Sequence, residues 1–521
     1  MRYFNTSGPN IPKDHYTLPR LGLVETGKKM VYNDRYFTIW APRQTGKSTY
    51  FRFLATALQA EGYKVAQVNF ESFKQASLED FLIRLKNALS EQWDIPFESE
   101  TLAGVFQQIE SMKNEKCVLI IDEVEGINSA FFGNFLHSIR NAYHSRQKHC
   151  LKSVILVGVS NIVGVVQDNA SPFNIADNLN VPYFTNEETY ELLGQHEQET
   201  EQLFDPKVKA KIAEITANQP GLVNGFAWKL VDNNPQKPKI NYEDYLVVEN
   251  WYLTQNLDKN VSNIINKATK HRAFVQKLLF TEIKAPFQIY KEHIKELYVN
   301  GVITYDKDNF ITFEVPLYQK CLHAAFYPSL NGENDSIQRN INVREYFDEA
   351  GVLNLEKIIE EYKVYASRRG FRYFREQDEN GKFVNIKEAA LVYSFETFIN
   401  AFLGVIGGKS YLEAHAGLGR TDLVINVKGR EQVVEAKVYH NITQFNEGKV
   451  QLAYYLKKLS LTCGFYLVFT DTEVTHPDVI ENLELVEGMS IKTFLVRYDL
   501  DKDFDLPKEE KKTRKKKTKE P

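Results

Sequence analysis

The sequence predicts an α/β protein with two separate sheet-bearing units, the first on a parallel sheet and the second on a mixed one. Three observations carry this. Between residues 36 and 159, short apolar runs alternate with segments of helical periodicity, the pattern of parallel strands covered by helices on both faces. From residue 410 onward, strand-like runs follow one another closely enough to form a hairpin before a helix intervenes. The chain has 521 residues, and at roughly 100–200 residues per domain two to four domains are expected.

Composition bounds the class. Hydrophobic residues at 43% and charged residues at 25% are those of a globular chain and exclude a wholly disordered or collagen-like one. No apolar run approaches the ~18 residues of a membrane helix, and the first ten residues lack the apolar core of a signal peptide. A cytoplasmic protein with no membrane contact is therefore expected. Cys117, Cys150, Cys321 and Cys463 are scattered without a CxxC pair, which argues against a disulfide framework or a zinc site. The net charge of −4 is unevenly spread, because the end from Lys508 is dense in lysine. That segment reads equally well as a solubility tail and as a nucleic-acid contact.

The elements follow in order. About 35 irregular residues, with Pro12 and Pro19 breaking any helix, precede a strand over Tyr36–Trp40. A helix through Phe51, Leu54 and Leu58 comes next, then a strand over Lys64–Phe70 and helices over Leu78–Gln92 and Leu102–Ser111. The apolar run Cys117–Ile121 ends in Asp122 and Glu123; a helix over Phe131–His144 leads to a strand over Ser153–Val159 that ends at Asn161. Val181–Val247 is helical with a break at Gln219, Pro220 and Gly221. Helices over His271–Phe280 and Phe287–Val299, then strands over Val302–Tyr305 and Phe310–Phe313, have the order of a winged helix. Ser329–Ser336 is the best linker. Beyond it lie a helix (Ile386–Val405), three strands (Ser410–Ala414, Asp422–Val427, Gln432–Val438), a helix (Gln444–Leu459) and a strand (Gly464–Phe469). The expected boundaries are an arm over 1–20, a core with a helical lid over 21–250, and a winged-helix-like part over 251–328. A linker over 329–344, a third unit over 345–506 and a disordered basic tail over 507–521 complete the chain.

The first chemistry-bearing motif joins the first strand to its helix. Ala41, Pro42, Arg43, Gln44, Thr45, Gly46, Lys47 and Ser48 nearly fit GxxxxGK[ST], with Ala41 in place of the first glycine. Such a loop turns backbone N–H groups and a helix N-terminus toward the phosphates of a nucleotide such as ATP. Gly46 permits close approach, Lys47 reaches the β- and γ-phosphates, and the Ser48 hydroxyl ligates Mg²⁺. Thr49 follows and is the lesser candidate for the ligand. Asp122, at the end of a buried strand, can hold that Mg²⁺ through water, and Glu123 can polarise the attacking water. Asn161 is either a γ-phosphate sensor or a turn residue.

The second motif lies in the third unit. Asp422 and Glu435 sit on consecutive strands of a hairpin turning at Lys428, Gly429 and Arg430. Alternation puts Glu435 and Lys437 on one face. Two carboxylates and a lysine on an otherwise apolar sheet are costly as packing alone. They make sense as a Mg²⁺ site beside a lysine that orients water for phosphodiester attack.

The first motif, with LIIDEVEG, VILVGVSN, SPFNI (Ser171–Ile175), PYFTNEE (Pro182–Glu188) and NQPGLVNG (Asn218–Gly225), resembles a bacterial family of AAA-like P-loop ATPases over roughly residues 20–325. The resemblance implies a P-loop NTPase sheet with a helical and winged-helix lid, and ATP and Mg²⁺ as cofactors. It makes Pro220 an adenine-side contact or a plain helix start. It identifies no firm arginine finger, with Arg140 and Arg146 as candidates. Residues 345–500 resemble the PD-(D/E)XK nuclease superfamily, a restriction-endonuclease-like fold, through Gly419–Asp422 and Val434–Lys437. This implies catalytic roles for Asp422, Glu435 and Lys437, a contact from Gln451 on the following helix, and a further acid at Glu413 or, alternatively, Glu396. Together the resemblances imply an ATPase and Mg²⁺-dependent nuclease acting on nucleic acid, DNA rather than RNA, with homo-oligomers formed through the ATPase part. Defence or mobile-element biology is the setting suggested by analogy. The alternatives are a nucleotide-gated signalling switch that binds nucleic acid without cleaving it, and a docking scaffold with vestigial sites.

Overall fold

The computed structural model describes residues 1–42, 44–112, 115–158, 177–255, 259–327, 343–348, 350–369, 371, 374, 384–415, 420–471 and 474–498. The chain divides into two compact units. Unit 1 comprises Met1–Lys267, Phe287–Asp308 and Thr312–Tyr318; unit 2 comprises Ala268–Pro286, Asn309–Ile311 and Gln319–Pro521.

Unit 1 opens with helix α1 (Leu21–Tyr32), then β1 (Phe37–Trp40), α2 (Lys47–Ala60), β2 (Lys64–Asn69), α3 (Leu78–Trp93), α4 (Leu102–Ser111), β3 (Cys117–Asp122), α5 (Ser129–Ser145), β4 (Leu151–Gly158) and β5 (Asp177–Asn180). The five strands are parallel in the order β2-β3-β4-β1-β5. β3 shows why the apolar runs are continuous. Leu119 and Ile121 face a core containing Phe81, Leu85 and Phe135 from α3 and α5. Val118 and Ile120 face an opposite core containing Val24, Val31, Leu54 and Leu58 from α1 and α2. Both faces of the sheet are dry, as parallel sheets require.

The expectation of 35 irregular residues is corrected by α1. Pro12 and Pro19 both precede it, so neither breaks it. It buries Val24, Gly27 and Val31, and Gly27 leaves no room for a Cβ beneath the Tyr50 hydroxyl and Leu54 of α2. Mostly helical elements follow: α6 (Asn186–Thr200), β6 (Leu203–Phe204), α7 (Pro206–Thr216), α8 (Pro220–Asn233), β7 (Lys239–Ile240), α9 (Tyr242–Thr254) and α10 (Lys259–Lys270). Next along the chain come α11 (Arg272–Phe280), α12 (Glu292–Val299), β8 (Thr304–Tyr305), β9 (Ile311–Thr312) and α13 (Pro316–Phe326). The expected linker Ser329–Ser336, segment Ser171–Ile175 and basic tail lie outside the described residues.

Unit 2 continues with α14 (Leu355–Arg369), α15 (Glu388–Ile406), β10 (Lys409–His415), β11 (Arg420–Val427), β12 (Arg430–Val438), α16 (Ile442–Leu459), β13 (Cys463–Thr470), β14 (Leu483–Val486) and β15 (Met489–Arg497). Its mixed sheet runs β10-β11-β12-β13-β15-β14. β10, β11 and β12 are antiparallel, β12, β13 and β15 are parallel, and β14 pairs antiparallel to β15. The β11–β12 turn needs left-handed backbone at Lys428 (φ 52°) and Gly429 (φ 79°), as two-residue hairpin turns do. Among the described residues, α15 is long and apolar enough by length and composition to cross a membrane, correcting the expectation that no run approaches that length; 56% of an 18-residue window of it is buried inside the protein.

Candidate functional site

In unit 1 the loop after β1 leads into α2 through Gly46, whose φ of 87° suits glycine. The Lys47 ammonium donates to the carbonyls of Ala41 at 2.6 Å and Pro42 at 2.8 Å. The Thr45 hydroxyl also donates to Pro42 O, at 3.1 Å. The loop is thus drawn around its own lysine. Gln44 meets α8: its carbonyl accepts from Gly221 N–H at 3.0 Å, and a Cβ on Gly221 would stand 2.5 Å from the Gln44 Cβ. α8 can approach because position 221 is glycine and because Pro220 occupies its first turn, with Gln219 capping Leu222 N–H at 2.8 Å. Arg43 lies outside the described residues, as does Asn161.

A cavity of about 320 Å³ unites this loop with distant segments. Lys47, Ser48 and Thr49 line it together with Glu123, Pro220 and Asn10. The arm was not legible as a site component. Its Asn10 N–H donates to the Thr49 hydroxyl at 3.0 Å, a contact 39 residues apart in sequence.

Asp122 closes β3. One oxygen accepts from Glu123 N–H at 3.0 Å and the other from Asn69 Nδ2 at 3.3 Å. Burial pushes its carboxyl above the usual range, and those two hydrogen bonds and the Lys47 charge oppose the rise. Glu123 is left-handed, with φ 53°, and starts a tight turn through Gly126. A Cβ on Gly126 would stand 2.1 Å from the Phe70 carbonyl, so the turn is pressed against the end of β2. Of the two arginine candidates, Arg146 lies over the Tyr143 ring at 3.9 Å and donates to the Tyr143 carbonyl.

Unit 2 gathers the second set. Glu413 is the Cα partner of Asp422, and Asp422 is the Cα partner of Glu435, so the three form one row across β10, β11 and β12. The side chains of Glu413 and Asp422 lie outside the described residues. Two residues beyond Glu435, the Lys437 ammonium stands 2.8 Å from the Glu435 carboxylate, which is buried. It also stands 3.1 Å from Glu388, the first residue of α15. Burial would lower Lys437, but the two glutamates outweigh it and hold the ammonium above its ordinary value. Burial pushes Glu388 up to about 7, against the pull of Lys437.

Glu388 was not found by sequence reasoning. A carboxylate in a first helical turn ordinarily reads as a solvated partner of the helix dipole. Glu396, the helical alternative, is directed elsewhere: it accepts from the Ser410 hydroxyl at 3.1 Å, and burial pushes it up to about 7. A cavity of about 220 Å³ beside Lys437 is lined by Glu388, His440, Glu447, Gln451 and Tyr466, which places Gln451 at the site. Among the described residues no group of three or more His, Cys, Asp and Glu side chains is arranged to hold a metal.

The model of a family described as the AAA-like domain matches residues 25–320. No curated protein matches the chain. Solved structures similar to it include a Walker-type ATPase of Pyrococcus abyssi, at 15% identity and TM-score 0.47, covering 61% of this chain and 99% of that one. The RuvB Holliday junction branch migration motor of Thermotoga maritima is similar at 13% identity and TM-score 0.35, covering 57% and 91%. The ORC1 protein of Aeropyrum pernix, solved in complex with DNA, is similar at 11% identity and TM-score 0.33, covering 59% and 93%.

Proposed function

The chain belongs to the AAA-like domain family and carries that family's P-loop ATPase domain, and from this premise we propose that it couples ATP hydrolysis in unit 1 to Mg²⁺-dependent cleavage of nucleic-acid phosphodiesters in unit 2. In unit 1 the backbone of residues 41–46, including Ala41, Pro42, Gln44 and Thr45, cradles the triphosphate, and Lys47 turns from its loop carbonyls to the phosphates. Ser48 and Asp122 are oxygen donors that suit Mg²⁺ and would hold the ion that neutralises phosphate charge. Glu123 takes the proton of a water whose oxygen bonds to the γ-phosphorus, while the β–γ bridging oxygen leaves with ADP. Pro220 closes the cavity on the lid side. Arg43 and Asn161 complete the proposed contacts.

The nuclease reading is carried by one observation: Glu413, Asp422 and Glu435 share a row across three strands, and Lys437 follows Glu435 on the same face. The carboxylate oxygens suit a hard divalent cation, and Asp422 and Glu435 would hold it to polarise a phosphoryl oxygen. Lys437 offsets charge that builds on the phosphate as water attacks phosphorus and the bond to the leaving oxygen breaks. Gln451 contacts the substrate, and Glu413 supplies the further acid. The substrate class is DNA rather than RNA, and the oligomer is a homo-oligomer of unit 1. Purified protein with Mg²⁺ and a panel of labelled DNA and RNA, with and without ATP, tests the reading. Cleavage lost in Asp422→Ala supports it. Binding without cleavage on every substrate would instead make the chain a nucleotide-gated switch.

A further inference from the structure

The strand beside Glu435 carries a buried hydroxyl. Tyr466 on β13 is the Cα partner of Glu435 across the parallel β12–β13 pair, so it extends the row that begins at Glu413. The residue is 0% exposed. Among the described residues its hydroxyl has no hydrogen-bond partner. It nevertheless borders the cavity that holds Glu388, Lys437 and Gln451. On α16, Gly448 faces it: a Cβ there would stand 2.2 Å from the phenol oxygen. The helix therefore leaves open the space that this hydroxyl occupies.

A buried O–H that lacks an acceptor costs free energy, and buried tyrosines ordinarily find one. Phenylalanine would fill the same volume in this sheet without that cost. The two nearby carboxylates do not explain the choice, since neither Glu388 nor Glu435 accepts from the phenol. Tyr466 and Lys437 both line the cavity, so a phenol and an ammonium border one space. That pair matches a phosphate oxygen, which accepts from both.

We propose that the Tyr466 hydroxyl donates a hydrogen bond to a non-bridging phosphate oxygen of a nucleic-acid strand bound in the cavity beside Lys437. The proposal rests on the nuclease reading of unit 2 and adds to it a phosphate-positioning contact from the neighbouring strand.

The test is Tyr466→Phe in the full chain, measured in three ways: cleavage of labelled DNA and RNA oligonucleotides in Mg²⁺, binding of the same oligonucleotides in Ca²⁺, and thermal melting without nucleic acid. The expected result is a fall in kcat/KM of about 10-fold or more, as for loss of one hydrogen bond to a charged group. Melting should be unchanged or raised, because an unsatisfied hydroxyl is removed. A merely structural tyrosine would show the reverse, lowered melting with parental cleavage. Parental kcat/KM in Tyr466→Phe overturns the proposal while the nuclease reading stands. If the parent cleaves nothing, the nuclease reading falls and the Ca²⁺ arm decides: weaker binding by Tyr466→Phe supports the phosphate contact. Equal affinity, or no binding by either protein, overturns it.

Discussion

The Lys437 ammonium meets Glu388 at 3.1 Å across 49 residues of sequence, joining the start of α15 to β12. Glu435 holds the same ammonium at 2.8 Å from within the strand. One cation is thus shared between two carboxylates in a largely buried setting, and removing it leaves both uncompensated. Lys437→Ala is accordingly expected to lose more than a point of positive charge. Turnover should fall further than metal affinity does, because in the proposed site the lysine would supply charge to the phosphate and not ligate the metal. Metal titration by calorimetry beside cleavage rates separates the two; equal losses in both would make Lys437 a metal-site scaffold.

Nucleotide affinity is expected to depend on Lys47, which the loop surrounds with the carbonyls of Ala41 and Pro42. Lys47→Ala is expected to weaken ATP binding by at least ~10-fold, the loss of a buried charge-assisted contact. Unchanged affinity by calorimetry would remove the lysine from the phosphate site.

Hydrolysis is expected to depend on Glu123. Glu123→Gln keeps the size of the side chain but takes no proton, so ATP should bind while turnover falls roughly 10²–10⁴-fold. A parental rate would assign the water to another residue.

The turn that carries Glu123 is fixed by Gly126, whose missing Cβ accommodates the Phe70 carbonyl. Backbone cannot yield as a flexible side chain can, so Gly126→Ala is expected to destabilise unit 1 by about 1–3 kcal/mol. Urea melts report the change, and a parental midpoint would mean that the turn tolerates displacement.

Glu396 yields a pH dependence with a definite sign. Its carboxyl rises from 4.5 to about 7 in the fold, so the native state binds the proton more tightly than the unfolded chain. The contribution is fully favourable below about 4.5 and is lost as pH rises to about 7, by up to about 3 kcal/mol. Glu388 adds a change of the same sign in the same window. Glu396→Gln keeps a partner for the Ser410 hydroxyl and should lose less stability than the parent between pH 4.5 and 8. Parallel pH profiles in urea melts would refute this.

Much of the fold was legible because it rests on local pattern. The strands of unit 1 are apolar on both faces, so Cys117–Ile121 declares itself without knowledge of its neighbours. Lys428 and Gly429 announce a tight hairpin, and the hairpin sets the register that aligns Asp422 with Glu435. What stayed hidden depends on contacts distant in sequence. Glu388 gains meaning only through Lys437, Asn10 only through Thr49, and Tyr466 only through its register with Glu435. β15 was missed for another reason: Lys492 and Thr493 interrupt its apolar run, although Thr493 is buried and β13 pairs along its whole length. α14 was missed because its sequence, LEKIIEEYKVYASRR, is largely polar and buries only one stripe, including Ile358, Ile359 and Tyr362.

The coupling of an ATPase to a nuclease is tested most directly by comparing the parent and Glu435→Ala for cleavage of labelled DNA and RNA in Mg²⁺, with ATP hydrolysis measured on the same samples. The parent is predicted to cleave, Glu435→Ala to cleave nothing, and both to hydrolyse ATP at closely similar rates, because the proposed sites in units 1 and 2 share no residue. Cleavage by Glu435→Ala at the parental rate, or no cleavage by the parent on any substrate with or without ATP, would contradict the account.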